Sequence, residues 1–290
     1  MADILHDISW VIPLRNEFLT PIFEFFTWLG YPTFIMLMLP LGYWLWSKTV
    51  FTRVAVIVML STVLNAFLKD LWENPRPDLM FRLDADVGKS FGMPSGHAQV
   101  SAVLWFWLAY EIQRTWAWLI AIVVVGAICF SRIYLGIHDL EDILVGLAIA
   151  LMSLFIFRFA MLFKIQKLGR YGLKSQLLSI LFMAILMKLI WPPASHSIGG
   201  LVAFSLLLAW ILGSNFEAHY VNFSAKLEPL PRVFTGLVGV VGLFSLLAII
   251  TPLLSGLPSL TAGMIQSAIL GIYMTLLAPL LFRLCRLSRT

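Results

Sequence analysis

Charge is what this sequence has least of. Lys, Arg, Asp and Glu make up 12% of its 290 residues, where a soluble domain of that length carries about 25%. The deficit excludes an ordinary water-soluble fold. With 60% hydrophobic residues and a mean hydropathy of +0.92, it places the chain in a bilayer. Cysteine is nearly absent. Cys129 and Cys285 each lie in an apolar run, so there is no disulfide framework, no CxxC and no Cys/His cluster to hold a metal. A basic stripe is missing too. The net charge is +5, but the bases sit in short loops between apolar runs, which argues against nucleic acid as a partner. No base precedes Arg15, while Asp3 and Asp7 stand near the start, the wrong polarity for a cleaved signal peptide.

What is there in abundance is long apolar runs. Nine segments approach the length that crosses a bilayer: 31–47, 51–71, 97–111, 116–134, 141–162, 176–191, 198–213, 233–254 and 262–283. Several are short, so eight or ten spans are also compatible with the pattern. Residues 1–30 alternate apolar and polar groups at helical spacing, the pattern of an interfacial helix lying on the membrane. Many of the eleven Trp fall near run ends, where indole anchors at the headgroup level. The expected fold is an all-α, polytopic transmembrane helical bundle.

Nine alternating spans sort the charges onto two faces. One face takes 7 Lys/Arg and 12 Asp/Glu, the other 13 Lys/Arg and 3 Asp/Glu. The basic face, with Lys164, Lys167, Arg170, Lys174, Arg283, Arg286 and Arg289, is cytoplasmic by the positive-inside rule, and the acidic face points out.

Polar residues gather on that outer face from three distant places. The second run ends in "NAFLKDLWENPRPDL" with Lys69, Arg76 and Pro77; the third opens on Pro94, Ser95, Gly96 and His97; "SRIYLGIHDLED" joins the fourth to the fifth with Ser131, Arg132, His138 and Asp142. Lys69, Arg76 and Arg132 suit an anion with several oxygens, because guanidinium forks match phosphate geometry. Ser95 heads a helix whose first amides are unpaired and attract negative charge, and Gly96 lets an oxygen approach that backbone. His138 and Asp142, four apart, share a helix face, so the carboxylate can fix the imidazole tautomer and leave one nitrogen as a nucleophile. His97 is then placed to protonate the departing oxygen. The bases supply the charge stabilisation that a divalent cation would otherwise give, so no metal and no cofactor is expected. The acids Asp70, Glu73, Asp84, Asp86, Asp139 and Glu141 read as a solvated rim around this site, and Arg53, Arg158 and Lys188 as bases that snorkel to the headgroups.

At these residues the sequence resembles the type 2 phosphatidic acid phosphatase superfamily, whose tripartite signature K-x6-R-P, P-S-G-H, S-R-x5-H-x3-D stands here without departure. The resemblance covers roughly residues 50–163. It implies His138 as nucleophile, Asp142 as its partner, His97 as acid, and Lys69, Arg76, Ser95, Gly96 and Arg132 as phosphate ligands. It divides the chain into an interfacial helix at 1–30, a phosphatase-like transmembrane core at 31–163 and additional helices at 164–290. The expected activity is hydrolysis of a lipid phosphate or diphosphate through a phosphohistidine, in a bacterial inner membrane. The substrate would be a phospholipid or a polyprenyl phosphate: undecaprenyl diphosphate first, then phosphatidylglycerophosphate or phosphatidic acid, then a sphingoid-base phosphate. A lipid phosphotransferase using the same residues and a lipid transporter or binding module are the rival readings. In the C-terminal helices Gly236, Gly239 and Gly242 stand three apart. Such a stripe serves either packing within the chain or a homo-oligomer contact.

Overall fold

The computed structural model describes residues 5–83, 90–162, 178, 181–183, 185–187, 189–192 and 198–287. Every regular element among them is helical: α1 Leu19–Trp28, α2 Pro32–Leu45, α3 Lys48–Trp72, α4 Gly96–Ile112, α5 Thr115–Tyr134, α6 Leu140–Leu162, α7 Ile198–Phe216, α8 Pro229–Leu254, α9 Ser259–Ile272 and α10 Ala278–Leu284. A bilayer leaves backbone groups no water to bond, so helices that satisfy themselves are the economical solution. Short π-helical stretches, Glu217–Val221 and Tyr273–Leu277, follow α7 and α9.

Six helices among the described residues are long and apolar enough to cross a membrane, or up to seven if the bent pair α1 and α2, which meet at 54°, counts as one. The chain is an integral membrane protein. The nine expected runs differ from this count at three places. The run at 31–47 is α2, only 14 residues long. The run at 97–111 is α4, with 17 residues, or about 25 Å at 1.5 Å per residue, short of a 30 Å hydrocarbon core. The run at 176–191 falls partly outside the described residues, as do Asp84, Asp86 and the basic stretch Lys164–Lys174.

The chain divides into two compact units, one of residues 1–35, 61–165 and 185–200, the other of 36–60, 166–184 and 201–290. In the first, α4 is the central helix and packs against α5 and α6. Ten of its residues are buried, from Ala98 to Ala109, and small side chains set the spacing. A Cβ on Gly146 of α6 would lie 2.9 Å from the Ser95 carbonyl, so only glycine allows α6 that close to the head of α4. At the other end Ala109, Ala117 and Ala121 form a small core against Trp105, Phe106 and Ile112. α1 lies along α5: Phe23 packs on Phe130 and Tyr134 at 5.0 and 4.5 Å between ring centroids, and Thr20 Oγ1 meets the Tyr134 hydroxyl at 2.9 Å.

In the second unit the fully buried Trp44 is the pivot. Its Nε1 donates to the Met274 carbonyl at 2.7 Å, and its ring meets Phe282 edge-on at 5.4 Å. The glycine stripe on α8 receives neighbours from the same chain: Leu45 at Gly236, Trp44 at Gly239 and Tyr273 at Gly242. Packing within the chain therefore takes up these glycines. One buried carboxylate, Glu217, accepts from Lys48 Nζ at 2.9 Å, the Tyr43 hydroxyl at 3.2 Å and the Phe223 amide at 2.7 Å.

Candidate active site

All eight residues singled out by sequence fall in the first unit, at the ends of α3, α4, α5 and α6. Ser95 caps α4. Its Oγ accepts from the Ala98 amide at 3.5 Å, and its own amide donates to the Asp142 carbonyl at 2.9 Å, tying the head of α4 to the first turn of α6. Asp139 caps α6 in turn, accepting from the Asp142 amide at 2.9 Å. Between α5 and α6 the chain turns back through Gly136 at φ +74°, and the amides of Ile137 and His138 both reach the Arg132 carbonyl, at 3.0 and 3.3 Å. A side chain at Gly136 would run into the Phe81 carbonyl, so this turn requires glycine.

That turn delivers His138 to Asp142. His138 Nδ1 and Asp142 Oδ2 are 2.7 Å apart, with both side chains 2% exposed. On the other side of the ring Arg76 Nη1 lies 3.1 Å from His138 Nε2. A carboxylate can only accept and a guanidinium can only donate. The two contacts together therefore select one tautomer: Nδ1 carries the proton and Nε2 carries the lone pair. Burial foremost, and then the charges of Lys69, Arg76 and Arg132, hold the His138 pKa well below its ordinary value of 6.5. The ring is thereby kept neutral, with a lone pair to give.

Two of the three cations, Lys69 and Arg76, are organised by one short stretch that the sequence patterns did not flag. Lys69 Nζ donates to the Phe91 carbonyl and to the Gly92 carbonyl, the latter at 2.7 Å. Arg76 Nε donates to the Ser90 carbonyl at 2.8 Å and its Nη2 to Ser90 Oγ at 3.0 Å. Gly92 fits between Asp142 and the Pro75 carbonyl, either of which a Cβ would approach to 3.0 Å. Gly96 faces Asn65, whose Nδ2 donates to the Pro94 carbonyl at 3.1 Å and to Gln99 Oε1 at 2.9 Å.

His97 and Arg132 stand apart from this bonded group, though both reach His138 electrostatically. Arg132, 3% exposed, donates from Nη1 toward Thr27 Oγ1 at 3.4 Å, and Thr27 meets Ser131 Oγ at 2.6 Å. His97 packs against the bend between α1 and α2. Tyr31 meets its ring edge-on with centroids 4.9 Å apart, and a Cβ on Gly30 would lie 2.6 Å from His97 Cδ2. Its Nε2 is buried with no hydrogen-bond partner. Two of the acids read as a solvated rim have other work. Asp70 is 1% exposed and accepts from Trp191 Nε1 at 2.9 Å, and Asp139 caps α6 while holding His6 at 2.8 Å. Among the described residues no three His, Cys, Asp or Glu side chains gather closely enough to hold a metal ion.

The arrangement amounts to a neutral imidazole with an oriented lone pair, three fixed cations and a capped helix start. Comparison with known families matches residues 51–166 to the PAP2 superfamily, and residues 201–290 to the PAP2 superfamily phosphatase transmembrane extension. The chain carries a PAP2 superfamily domain. All eight residues lie within it, whereas Thr27, Gly30 and Tyr31 come from outside the matched segment. Among curated proteins the chain is 30% identical over 144 residues to sphingosine-1-phosphate phosphatase 2 of Mus musculus, covering 47% of this chain and 41% of that one. It is 28% identical over 158 residues to phosphatidylglycerophosphatase B of Bacillus subtilis, covering 50% and 74%. Against dolichyldiphosphatase of Saccharomyces cerevisiae it is 26% identical over 166 residues, covering 51% and 66%. The chain thus spans less than half the length of the sphingosine-1-phosphate phosphatase 2 relatives of mouse and human, 41% and 36%. The PAP2 domain accounts for the helix ends that carry the site, and its extension for the packing around Trp44.

Proposed function

We propose that the chain is a lipid phosphatase, hydrolysing a phosphate or diphosphate on a long-chain lipid through a covalent phosphohistidine. The observation that carries this reading is the Asp142–His138–Arg76 line, 2.7 and 3.1 Å at its two joints, which leaves Nε2 the only lone pair of the ring. In the first step the Arg76 fork passes from Nε2 onto phosphate oxygens, joined by Lys69, Arg132 and the α4 amides. Nε2 attacks phosphorus, the bond from phosphorus to the lipid oxygen breaks, and His97 gives that oxygen a proton. In the second step water attacks phosphorus and loses its proton to His97. The bond between phosphorus and Nε2 breaks, releasing inorganic phosphate. From a diphosphate the attack falls on the terminal phosphorus. The bond that breaks in the first step is then the one to the bridging oxygen, and the lipid monophosphate leaves there with the proton from His97. Asp142 keeps its hydrogen bond throughout and stabilises the positive charge on the phosphorylated ring.

The relatives act, by their names, on sphingosine-1-phosphate, phosphatidylglycerophosphate and dolichyl diphosphate. What these substrates share is a phosphoryl group at the polar end of a membrane-anchored chain. Undecaprenyl diphosphate, phosphatidylglycerophosphate, phosphatidic acid and a sphingoid-base phosphate make up the test panel. Purified protein is assayed for phosphate release with EDTA present, beside His138→Ala. Release from at least one lipid, abolished by the substitution and indifferent to EDTA, is expected. Activity that survives His138→Ala, or that requires a divalent metal, removes the mechanism. The charge asymmetry of the loops supports an outward-facing site in a bacterial inner membrane. An impermeant thiol reagent should accordingly label Leu79→Cys in intact cells, Leu79 being 76% exposed near Arg76.

A further inference from the structure

Arg15 comes from a part of the chain outside the matched PAP2 segment, yet its side chain ends on two backbone carbonyls beside the active site. Its Nε donates to the Tyr134 carbonyl at 2.9 Å and its Nη2 to the Phe81 carbonyl at 2.7 Å. The mechanism above gives this guanidinium no role, and none of the sequence motifs includes it. It is firmly held all the same. The turn before it, Ser9–Leu14, is pinned by Ile8 and Val11, which are 2% and 0% exposed. The amide after it, on Asn16, donates to the Tyr134 hydroxyl at 3.2 Å.

Each of the two carbonyls belongs to a segment that delivers a reacting group. Tyr134 ends α5, where helix carbonyls lack partners. The Ser131, Arg132 and Ile133 carbonyls are met by amides of the turn that follows, and the Tyr134 carbonyl by Arg15, a cation at the negative end of the helix. His138 stands four residues further on. Phe81 stands five residues after Arg76 in a loop that is itself tightly wound. The Phe81 and Arg82 amides reach the Asp78 and Leu79 carbonyls at 3.0 and 3.1 Å, and Arg82 Nη2 donates to the Pro77 carbonyl at 3.0 Å. The two segments meet at Gly136. The place of a side chain there is filled by the Phe81 carbonyl, with Arg15 Nη2 3.0 Å away, and the Leu83 amide adds a bond to the Leu135 carbonyl at 2.9 Å.

We propose that Arg15 is a positioning residue for the phosphoryl transfer described above, on which reading this inference rests. By bridging the Tyr134 and Phe81 carbonyls it fixes the loop of Arg76 against the turn of His138, and so sets the 3.1 Å contact between those two side chains. Arg76 also ties the segments together, with Nη1 3.3 Å from the Ile137 carbonyl. In the proposed mechanism, however, that fork turns to phosphate in the first step. The Arg15 bonds end on backbone and touch no reacting atom, so they keep the register while Arg76 changes partner. A guanidinium suits the task because Nε and Nη2 are two donors on one rigid edge, whereas an ammonium is a single point with no fixed fork.

The test compares full-length wild type, Arg15→Met and Arg15→Lys, purified in detergent, by two readouts. Hydrogen exchange read by mass spectrometry reports on the bridge without needing turnover. Loss of charge-assisted hydrogen bonds should speed exchange of peptides covering 77–83 and 134–138 by about 10- to 100-fold in Arg15→Met. Arg15→Lys should fall between that variant and the wild type. Steady-state phosphate release, from a lipid that the wild type hydrolyses, reports on positioning. A register looser by about 1 Å should lower kcat/KM by about 10- to 100-fold in Arg15→Met. The His138 ring is faced by Asp142, Lys69, Arg76, Arg132 and His97, and burial, then the three cations, keeps it neutral. With Arg76 held less closely, the acid limb of kcat/KM should move up toward pH 6.5, a shift that loss of folded protein does not produce. If the wild type releases phosphate from no lipid, the phosphatase reading fails, and the exchange data still judge the bridge. Unchanged exchange in a folded Arg15→Met protein overturns the proposal, as does a wild-type kcat/KM with an unmoved acid limb. If Arg15→Met fails to fold, Arg15→Lys decides: wild-type exchange and kinetics there mean that a charge suffices without the fork, and the proposal falls.

Discussion

Gly30→Ala tests whether the bend between α1 and α2 sets the place of His97. The added methyl would meet His97 Cδ2 at 2.6 Å and Ser101 Oγ at 3.1 Å. Ordinary carbon contact needs about 3.5 Å or more, so the imidazole must retreat by roughly 0.9 Å. Tyr31, edge-on at 4.9 Å, stands against the ring and limits where it can go. A misplacement of about 1 Å at a reacting group costs on the order of 100-fold in rate, and overpacking costs about 1–3 kcal/mol in stability. In the proposed mechanism His97 acts on the leaving oxygen and does not hold the phosphate. Its displacement should therefore lower kcat by about 10- to 100-fold while KM, set by Lys69, Arg76 and Arg132, stays within about twofold. The assay is steady-state phosphate release with a lipid that the wild type hydrolyses, beside a thermal melt in detergent. A folded Gly30→Ala enzyme with wild-type kcat would refute the argument that this glycine positions the acid. A rise in KM at constant kcat would place His97 among the binding groups instead.

Asp142→Asn should lower kcat by about 100- to 10,000-fold, because an amide can turn its NH2 toward His138 Nδ1 and shift the ring proton onto Nε2; the phosphohistidine should vanish from acid-quenched, phosphate-labelled protein, and its survival at wild-type level would contradict the tautomer assignment. The depressed His138 pKa gives a pH prediction with a definite sign. Since the unfolded histidine titrates near 6.5 and the folded one below it, the folded state binds fewer protons in that window; stability is complete above pH 6.5 and falls as the pH drops toward the folded pKa. The acid limb of kcat/KM that belongs to His138 should also lie below pH 6.5, and a limb at or above that value would show that the cations do not act on the ring as described. In the second unit, Lys48→Met should lower the melting temperature more than Glu217→Gln. The first leaves a carboxylate that is 1% exposed without its cation, while the second leaves a lysine that is 25% exposed and can reach solvent; the reverse order would mean that Tyr43 and the Phe223 amide suffice to hold Glu217.

That the eight motif residues gather was legible in the sequence because their spacings are local and each cluster sits at the end of an apolar run. Ser95 caps α4 wherever that helix lies, and the spacing of four brings His138 to Asp142, although His138 stands in the turn before α6, which begins at Leu140, and not on the helix face the spacing suggests. The span count was less legible: composition cannot distinguish a 17-residue central helix wrapped by neighbours from a lipid-facing span, and α4 is the former. The α1–α2 bend left no readable mark at all, since Thr27 and Gly30 are ordinary residues in a segment that reads as interfacial and Tyr31 merely opens the first apolar run. Their role comes only from α1 lying on α5.

Other missed residues did carry a signal. Ser61, Asn65 and Lys69 stand four apart inside one apolar run, and thus on one stripe of α3, where a polar group in lipid is expensive. That stripe meets Gln99, two residues beyond His97: Gln99 Nε2 donates to the Ser61 carbonyl and hydroxyl at 3.0 Å, and its Oε1 accepts from Asn65. The same Asn65 holds the Pro94 carbonyl at 3.1 Å, so the stripe that ends in Lys69 also fixes the entry to the helix that begins at Gly96. A polar residue within an apolar run is costly unless its partners are protein groups. Its spacing of four from a motif residue therefore points to the neighbouring helix that satisfies it. Read that way, the pair "STVLNAFLK" and "GHAQVS" already implies that α3 and α4 are hydrogen-bonded to each other, which is the contact that brings Lys69 to the Ser95 end of α4.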